Sequence, residues 1–220
     1  MPTTPEAPPE VAAAQLLNRV ALGYILSSAL HVALEPGIAD RPANGPRSAA
    51  DLAASCGVTE DGRQVLTSIL RRYPAMRGVL FDLEHVVAGA VSLIEAAGVS
   101  DRCQRVSGDF FRAVPRGGDA YILKNIIHDW DDDQAIAILK NIGVAFESRT
   151  DGRVILLESV IPPGNQPDFG KLLDIEMLLM PGGRERTAEE FASLFDRAGF
   201  ELTRVVPTES PLSVIEARVT

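Results

Sequence analysis

Three observations predict an α/β fold with a doubly wound, mostly parallel sheet and an antiparallel hairpin at its carboxyl end. Helical and strand-like apolar patterns alternate from Gln64 to Glu158. Each strand-like run delivers a polar group where it ends, namely Asp82, Asp109, Lys124 with His128, and Glu158, and in open α/β sheets ligands bind along that edge. The tail then changes to a capped helix and two β-patterned stretches, which places an antiparallel edge on the sheet.

Met1–Glu10 is rich in Pro, Thr and Glu, has no basic start, and is expected to be a disordered lead-in. Leu16, Leu17, Val20, Tyr24 and Ile25 form one apolar stripe, and the uncharged run continues to Leu34 before Pro36-Gly37 stops it. The spacing predicts a buried helix. Val20–Leu34 is shorter than the ~20 residues a membrane helix needs, and it carries Tyr24, Ser27, Ser28 and His31. A short helix over Ser48–Gly57, with Ser48 and Asp51 in a capping arrangement, is followed by Val58-Thr59-Glu60, which would start another. That spacing is familiar from helix-turn-helix and winged-helix modules.

Gln64–Arg72 is expected to be helical with Val65, Leu66, Ile69 and Leu70 inward, Gly78–Leu83 a strand, and Val86–Ala97 a helix closed by Gly98. Cys103–Val106 is a strand running into Gly108-Asp109-Phe110-Phe111. Tyr121, Ile122, Leu123, Ile126 and Ile127 make a buried strand that ends in His128, Asp129 and Trp130. From Asp133, Ala135, Leu139, Ile142 and Phe146 recur at helical spacing, with acids at the positive end of the helix. Val154–Leu157 is the next strand, ending in Glu158. Thr187-Ala188-Glu189-Glu190 reads as a capping box for a helix closed by Gly199, and Glu201–Val206 with Leu212–Val219 as the terminal hairpin.

With 220 residues, 46% hydrophobic and 23% charged, the chain has the composition of a soluble globular protein. A net charge of -9 argues against nucleic acid or an anionic membrane as the main partner, because both require a basic face. Cys56 and Cys103 are far apart and unclustered with histidine, so no disulfide framework and no metal site is expected, and a reducing, cytoplasmic setting fits. The long apolar run Leu16–Leu34 needs more cover than one small domain offers, and it predicts a homodimer interface.

Four groups of residues, taken together, resemble a known family: Phe81-Asp82-Leu83; Gly108-Asp109-Phe110-Phe111; Leu123-Lys124 with His128-Asp129-Trp130; and Pro181-Gly182-Gly183-Arg184-Glu185-Arg186-Thr187. In this order they look like the class I S-adenosylmethionine-dependent O-methyltransferases of phenolic and aromatic-polyketide hydroxyls. Gly45–Ala53 resembles part of that family's winged-helix-like dimerisation domain. The resemblance implies a Rossmann-like domain over residues 63–220, a helical dimerisation segment over 11–62 and a small aromatic acceptor. It implies that Asp82 accepts from the donor's ribose hydroxyls, that Asp109 and Phe110 hold the adenine, and that Lys124 lines the same pocket. His128 would be the general base, oriented by Glu158 and Glu185, with Asp129 and Met177 near the acceptor. Each has a plainer alternative: Asp109 as a turn residue, Met177 as core filler, Glu185 as a surface charge.

The chain departs from the family pattern in one large respect. No glycine-rich loop precedes a helix, and Cys56–Gly62 runs straight into the Gln64 helix. The strand that carries such a loop would lie centrally, between those ending at Asp82 and Lys124, so two inner edges are left for something else to pair with. Two functions therefore compete, a methyltransferase and a non-methylating, dimerising or ligand-binding relative. A transcription factor built on Ser48–Leu70 is the third and weakest reading, given the acidic chain.

Overall fold

The structure, a computed structural model, describes residues 62–179 and 182–220 in full and residues 29–34 by their backbone. The lead-in, the helix over Ser48–Gly57 and the winged-helix start lie outside the described residues. Seven strands form one sheet: β1 (Ala29–Leu34), β2 (Arg77–Asp82), β3 (Cys103–Ser107), β4 (Ala120–Lys124), β5 (Arg153–Ser159), β6 (Phe200–Pro207) and β7 (Leu212–Val219), in the order β3-β2-β1-β4-β5-β7-β6. Among the described residues the α-helices are α1 (Gly62–Arg72), α2 (Glu84–Gly89), α3 (Val91–Ala96), α4 (Asp132–Ala145), α5 (Phe169–Leu179) and α6 (Ala188–Ala198).

Strand alternation splits the core between the two sheet faces. Leu80, Ile122, Ile155 and Leu157 pack with Val65, Leu66, Ile69 and Leu70 of α1 and with Ile94 of α3. Tyr121, Leu123, Val154 and Leu156 pack on the other face with Ile138, Leu139 and Ile142 of α4 and with Phe191 and Phe195 of α6. The α6 capping box forms as expected, with Thr187 Oγ1 accepting from Glu190 N–H and the Glu190 carboxylate accepting from Thr187 N–H. Gly199 closes that helix at φ 87°, a left-handed conformation that glycine takes without a side-chain clash. The terminal hairpin is present as β6 and β7.

The apolar run before Leu34 is corrected at its end, the part from Leu16 to residue 28 lying outside the described residues. Its last six residues are not helical. They form β1, paired antiparallel with β2 from Leu30–Phe81 to Leu34–Arg77 and with β4 from Ala29–Lys124 to Ala33–Ala120. The physical reason is the pair of inner edges already anticipated. A strand between two open ladders satisfies backbone groups on both sides, and that tertiary gain overrides the helical preference of alanine and leucine. Part of the run expected at a dimer interface is thus inside the chain's own sheet.

This insertion also corrects the sheet type. β2–β3 and β4–β5 pair in parallel, whereas β1–β2, β1–β4, β5–β7 and β6–β7 are antiparallel, so the sheet is mixed rather than mostly parallel. The helix expected over Val86–Ala97 divides into α2 and α3 at Ala90. Helix α5 was not anticipated, because it is apolar on nearly every side and shows no amphipathic period.

Candidate active site

His128 sits in a turn that begins where β4 ends. Asn125 takes φ 51°, its N–H donates to Leu157 O at 3.1 Å, and Ile127–Asp129 form one 3-10 turn before Trp130 returns to extended backbone. Asp131 then caps α4 by accepting from Gln134 N–H. The strand therefore stops short of His128, unlike the longer run read from the sequence. Glu158, at the end of β5, explains why the turn holds: its Oε1 accepts from Ile126 N–H at 3.0 Å and Ile127 N–H at 2.8 Å. Both amides would otherwise be buried without a partner.

The opposite wall is the stretch from Gly182 to Arg186. Arg184 N–H donates to His128 O at 2.9 Å, and a Cβ on Gly183 would lie 1.9 Å from that same carbonyl oxygen, so only glycine lets the two backbones meet. Arg186 is fully buried, and its guanidinium donates to Ile127 O, Trp130 O, Arg184 O and Asp132 Oδ1 at 2.8–3.2 Å. This one cation fastens the His128 turn to the start of α4 and to the facing loop. Glu185 N–H donates to Asp174 Oδ1 of α5 at 2.8 Å, which turns the Glu185 side chain toward the imidazole.

His128 Nδ1 lies 2.7 Å from Glu185 Oε1 and 3.6 Å from Glu158 Oε2, and Nε2 is 3.7 Å from Asp129 Oδ1. All three of His128, Glu158 and Glu185 are buried. Burial works against charge on the imidazole, but Glu158, then Glu185 and Asp129, outweigh it and push its pKa up to about 9. Burial, reinforced by Glu185, raises Glu158 to about 7 against the pull of His128 and the two amides. The cluster thus favours holding a proton among the imidazole and the two carboxylates at neutral pH. One oxygen of each glutamate, Oε2, has no hydrogen-bond partner. The three ligand atoms lie within 4.8 Å of one another, a spacing that suits a divalent cation as well as a shared proton.

The residues read as donor contacts are at the other part of the same edge. Asp82 is buried at the end of β2, where Oδ1 accepts from Leu83 N–H at 2.6 Å and Oδ2 has no partner. Burial raises its pKa to about 6, opposed by the Leu83 amide and by His85 and Arg63. Asp109 follows closely, since Gly108 N–H donates to Asp82 O. Its Oδ1 accepts from Phe111 N–H, which is the turn role foreseen as its plainer alternative. Phe110 packs edge-on to Trp130, with ring centroids 6.2 Å apart, and its carbonyl accepts from Asn141. Lys124 is buried at the end of β4, level with Ala29 and Leu157 in the neighbouring strands. Met177 is fully buried on α5, with its carbonyl accepting from Gly182 N–H.

Sequence reasoning missed Arg186 and Asp174. Arg186 stood inside a quoted motif without a role, and Asp174 lies on the helix that had no visible period.

Residues 60–201, more than half of the chain, match the O-methyltransferase domain family. The chain belongs to that family. Within the O-methyltransferases it is similar to phenazine O-methyltransferase PhzM of Lysobacter antibioticus, at 49% identity over 154 residues that cover 70% of this chain and 45% of the relative. Among solved structures, LaPhzM superposes with a TM-score of 0.68 at 47% identity, covering 76% of this chain and 48% of that one. NcsB1, an O-methyltransferase from neocarzinostatin biosynthesis in complex with S-adenosyl-L-homocysteine and 1,4-dihydroxy-2-naphthoic acid, gives 0.64 at 30% identity, covering 71% and 46%. The chain spans about half the length of the curated relatives it matches.

Proposed function

We propose that this chain is an S-adenosylmethionine-dependent O-methyltransferase acting on a hydroxyl of a small aromatic molecule, with His128 as the general base. The observation that carries this reading is the buried imidazole held between Glu158 and Glu185 at the carboxyl edge of the sheet. A structural histidine needs one partner, whereas two carboxylates around one ring stabilise the charged form that a base becomes after taking a proton. Family membership and the activities for which the relatives are named point the same way.

The donor fits the residues in part. The unpartnered, buried Oδ2 of Asp82 suits a ribose hydroxyl, which donates a hydrogen bond. Asp82, Asp109, Phe110 and Lys124 would hold the nucleoside end. When bound, S-adenosylmethionine supplies the methyl group to be transferred. The chain's own residues do the rest. Nδ1 of His128 is engaged by Glu185, so Nε2, on the Asp129 side, is the nitrogen that receives the acceptor's proton. Because the surrounding acids raise the ring's pKa, the neutral base is the minor form at pH 7. Turnover is therefore expected to rise with pH toward 9.

Incubating the protein with labelled donor and a panel of hydroxylated naphthoic acids and phenols tests the reading. His128→Gln is expected to lower the rate by about 10²–10⁴-fold with donor affinity unchanged. Equal rates for the variant and the parent would remove His128 from the mechanism. One observation favours the non-methylating alternative: β1, rather than a strand with a glycine loop, occupies the centre of the sheet. A folded protein with no transfer to any acceptor and no donor binding would establish it.

A further inference from the structure

Two carboxylates closed around one imidazole leave the protein interior with a charge that a single proton offsets only in part. Glu158 and Glu185 carry two negative charges when ionised, and His128 brings at most one positive. All three side chains are at most 2% exposed, and buried charge is costly unless it is balanced. A divalent cation held by a neutral ring and both carboxylates balances the cluster fully.

A second observation points to the same kind of ligand. Oε2 of Glu158 and Oε2 of Glu185 are buried without a hydrogen-bond partner, and the former lies 3.6 Å from His128 Nδ1. An ionised oxygen buried without a donor is a group that a cation satisfies. The distances agree with coordination. Two ligands about 2.1 Å from a zinc ion, at the tetrahedral angle, stand about 3.4 Å apart. Nδ1 is 3.6 Å from Glu158 Oε2 and 2.7 Å from Glu185 Oε1, and one ligand atom from each residue falls within 4.8 Å of the others. An ion entering between Nδ1 and Glu185 has to open their hydrogen bond by only about 0.7 Å.

The three residues are also held from behind, as metal ligands commonly are. Glu158 Oε1 accepts from the Ile126 and Ile127 amides, Glu185 N–H donates to Asp174, and His128 O accepts from Arg184 N–H. Imidazole with carboxylates suits zinc rather than a soft ion such as Cu(I). We propose that Nδ1 of His128, one oxygen of Glu158 and one of Glu185 form a zinc site, in which the ion replaces the proton that these groups otherwise share. The expectation of no metal site came from the cysteines, and this site uses none. One consequence rests on His128 as the base. A cation on Nδ1 keeps the proton on Nε2, so the loaded ring no longer accepts one, and zinc slows transfer rather than assisting it.

The test of binding needs no substrate. The full chain is cleared of metal with a chelator and titrated with zinc chloride by calorimetry, while the nitrogen shifts of its histidine rings are followed by NMR. The expected result is one zinc per chain, with the largest shift at Nδ1 of His128. His128→Gln and Glu185→Gln should each weaken binding by about 100-fold or more, since even the outer partner of a ligand is worth about 10–100-fold. His85→Gln, at an exposed histidine, should change neither reading. Equal affinity in His128→Gln would mean an adventitious ion only and would overturn the proposal, as would shifts confined to other rings or no binding at millimolar zinc. If both variants unfold by circular dichroism, the Nδ1 shift of the parent still decides. Metal-free protein that transfers no methyl group would sink the methyltransferase reading and leave the zinc site standing, whereas transfer undiminished at saturating zinc would overturn the placement of the ion on His128.

Discussion

The part of the sheet edge around His128, proposed for the acceptor, and the part around Asp82, proposed for the donor, are built on different plans. Around His128 four separate segments converge: the turn after β4, the end of β5, α5 through Asp174, and the loop carrying Gly183 to Arg186. Around Asp82 there is one amide on one oxygen, a second oxygen without a partner, and beside β2 a strand drawn from far upstream running the opposite way. The difference teaches where chemistry is pre-organised. The proposed base is positioned by groups from all four segments, while the proposed donor site offers one carboxylate to the nucleoside end and, in the sequence, no glycine turn to the amino-acid end.

The largest expected effect comes from that missing turn. Losing two charge-assisted hydrogen bonds, at about 1.5–3 kcal/mol each, weakens donor binding by roughly two to four orders of magnitude relative to intact relatives. Calorimetric titration with S-adenosylmethionine measures it, and a low-micromolar dissociation constant would erase the contrast between the halves.

Next is the lock on the acceptor half. Replacing Arg186 with Met removes every hydrogen bond to three carbonyls and to Asp132. Breaking such a buried cation's network costs on the order of 3–5 kcal/mol, visible in urea unfolding. A loss below 1 kcal/mol would show that the turn is held mainly by Glu158.

The donor half predicts the opposite sign. Asp82, raised from 3.8 to about 6, contributes stability at low pH that is lost as pH rises through about 6. Asp82→Asn should therefore stabilise the apo protein at pH 7 by up to about 3 kcal/mol, with the gain fading below pH 4. Destabilisation at pH 7 would mean that the carboxylate already has a cationic partner.

The smallest effect sharpens the electrostatics. Glu185→Gln removes a negative neighbour from His128 and should lower its titration midpoint in an NMR pH series, moving any rate optimum to lower pH. By the same sign rule, the stability His128 contributes, lost in the parent as pH rises through about 9, should be lost at lower pH in the variant. An unmoved midpoint would leave Glu158 and Asp129 as the groups that hold the ring's charge.

How much of this was legible follows from the range of the interactions. The capping box at Thr187, the C-cap at Gly199 and the hairpin depend on neighbours within a few residues, and sequence spacing displays them. The acids at strand ends were legible because each follows its own strand. Their convergence was supplied by resemblance, not by spacing. The fate of Ala29–Leu34 was hidden, because what decides it is two ladders distant in sequence rather than its own residues. Arg186 was hidden for a related reason. It binds mostly carbonyl oxygens, which every residue has and no motif marks.

The central strand also sets a timetable for folding. Leu30 pairs with residues about 50 and about 90 positions away, so the middle of the sheet closes only after long loops have closed, the slow kind of contact. Until then β2 and β4 present two bare inner edges, the surfaces on which chains pair with one another. Refolding should accordingly lose yield steeply with concentration, and a synthetic Ala29–Leu34 peptide added in excess should compete for the vacant slot.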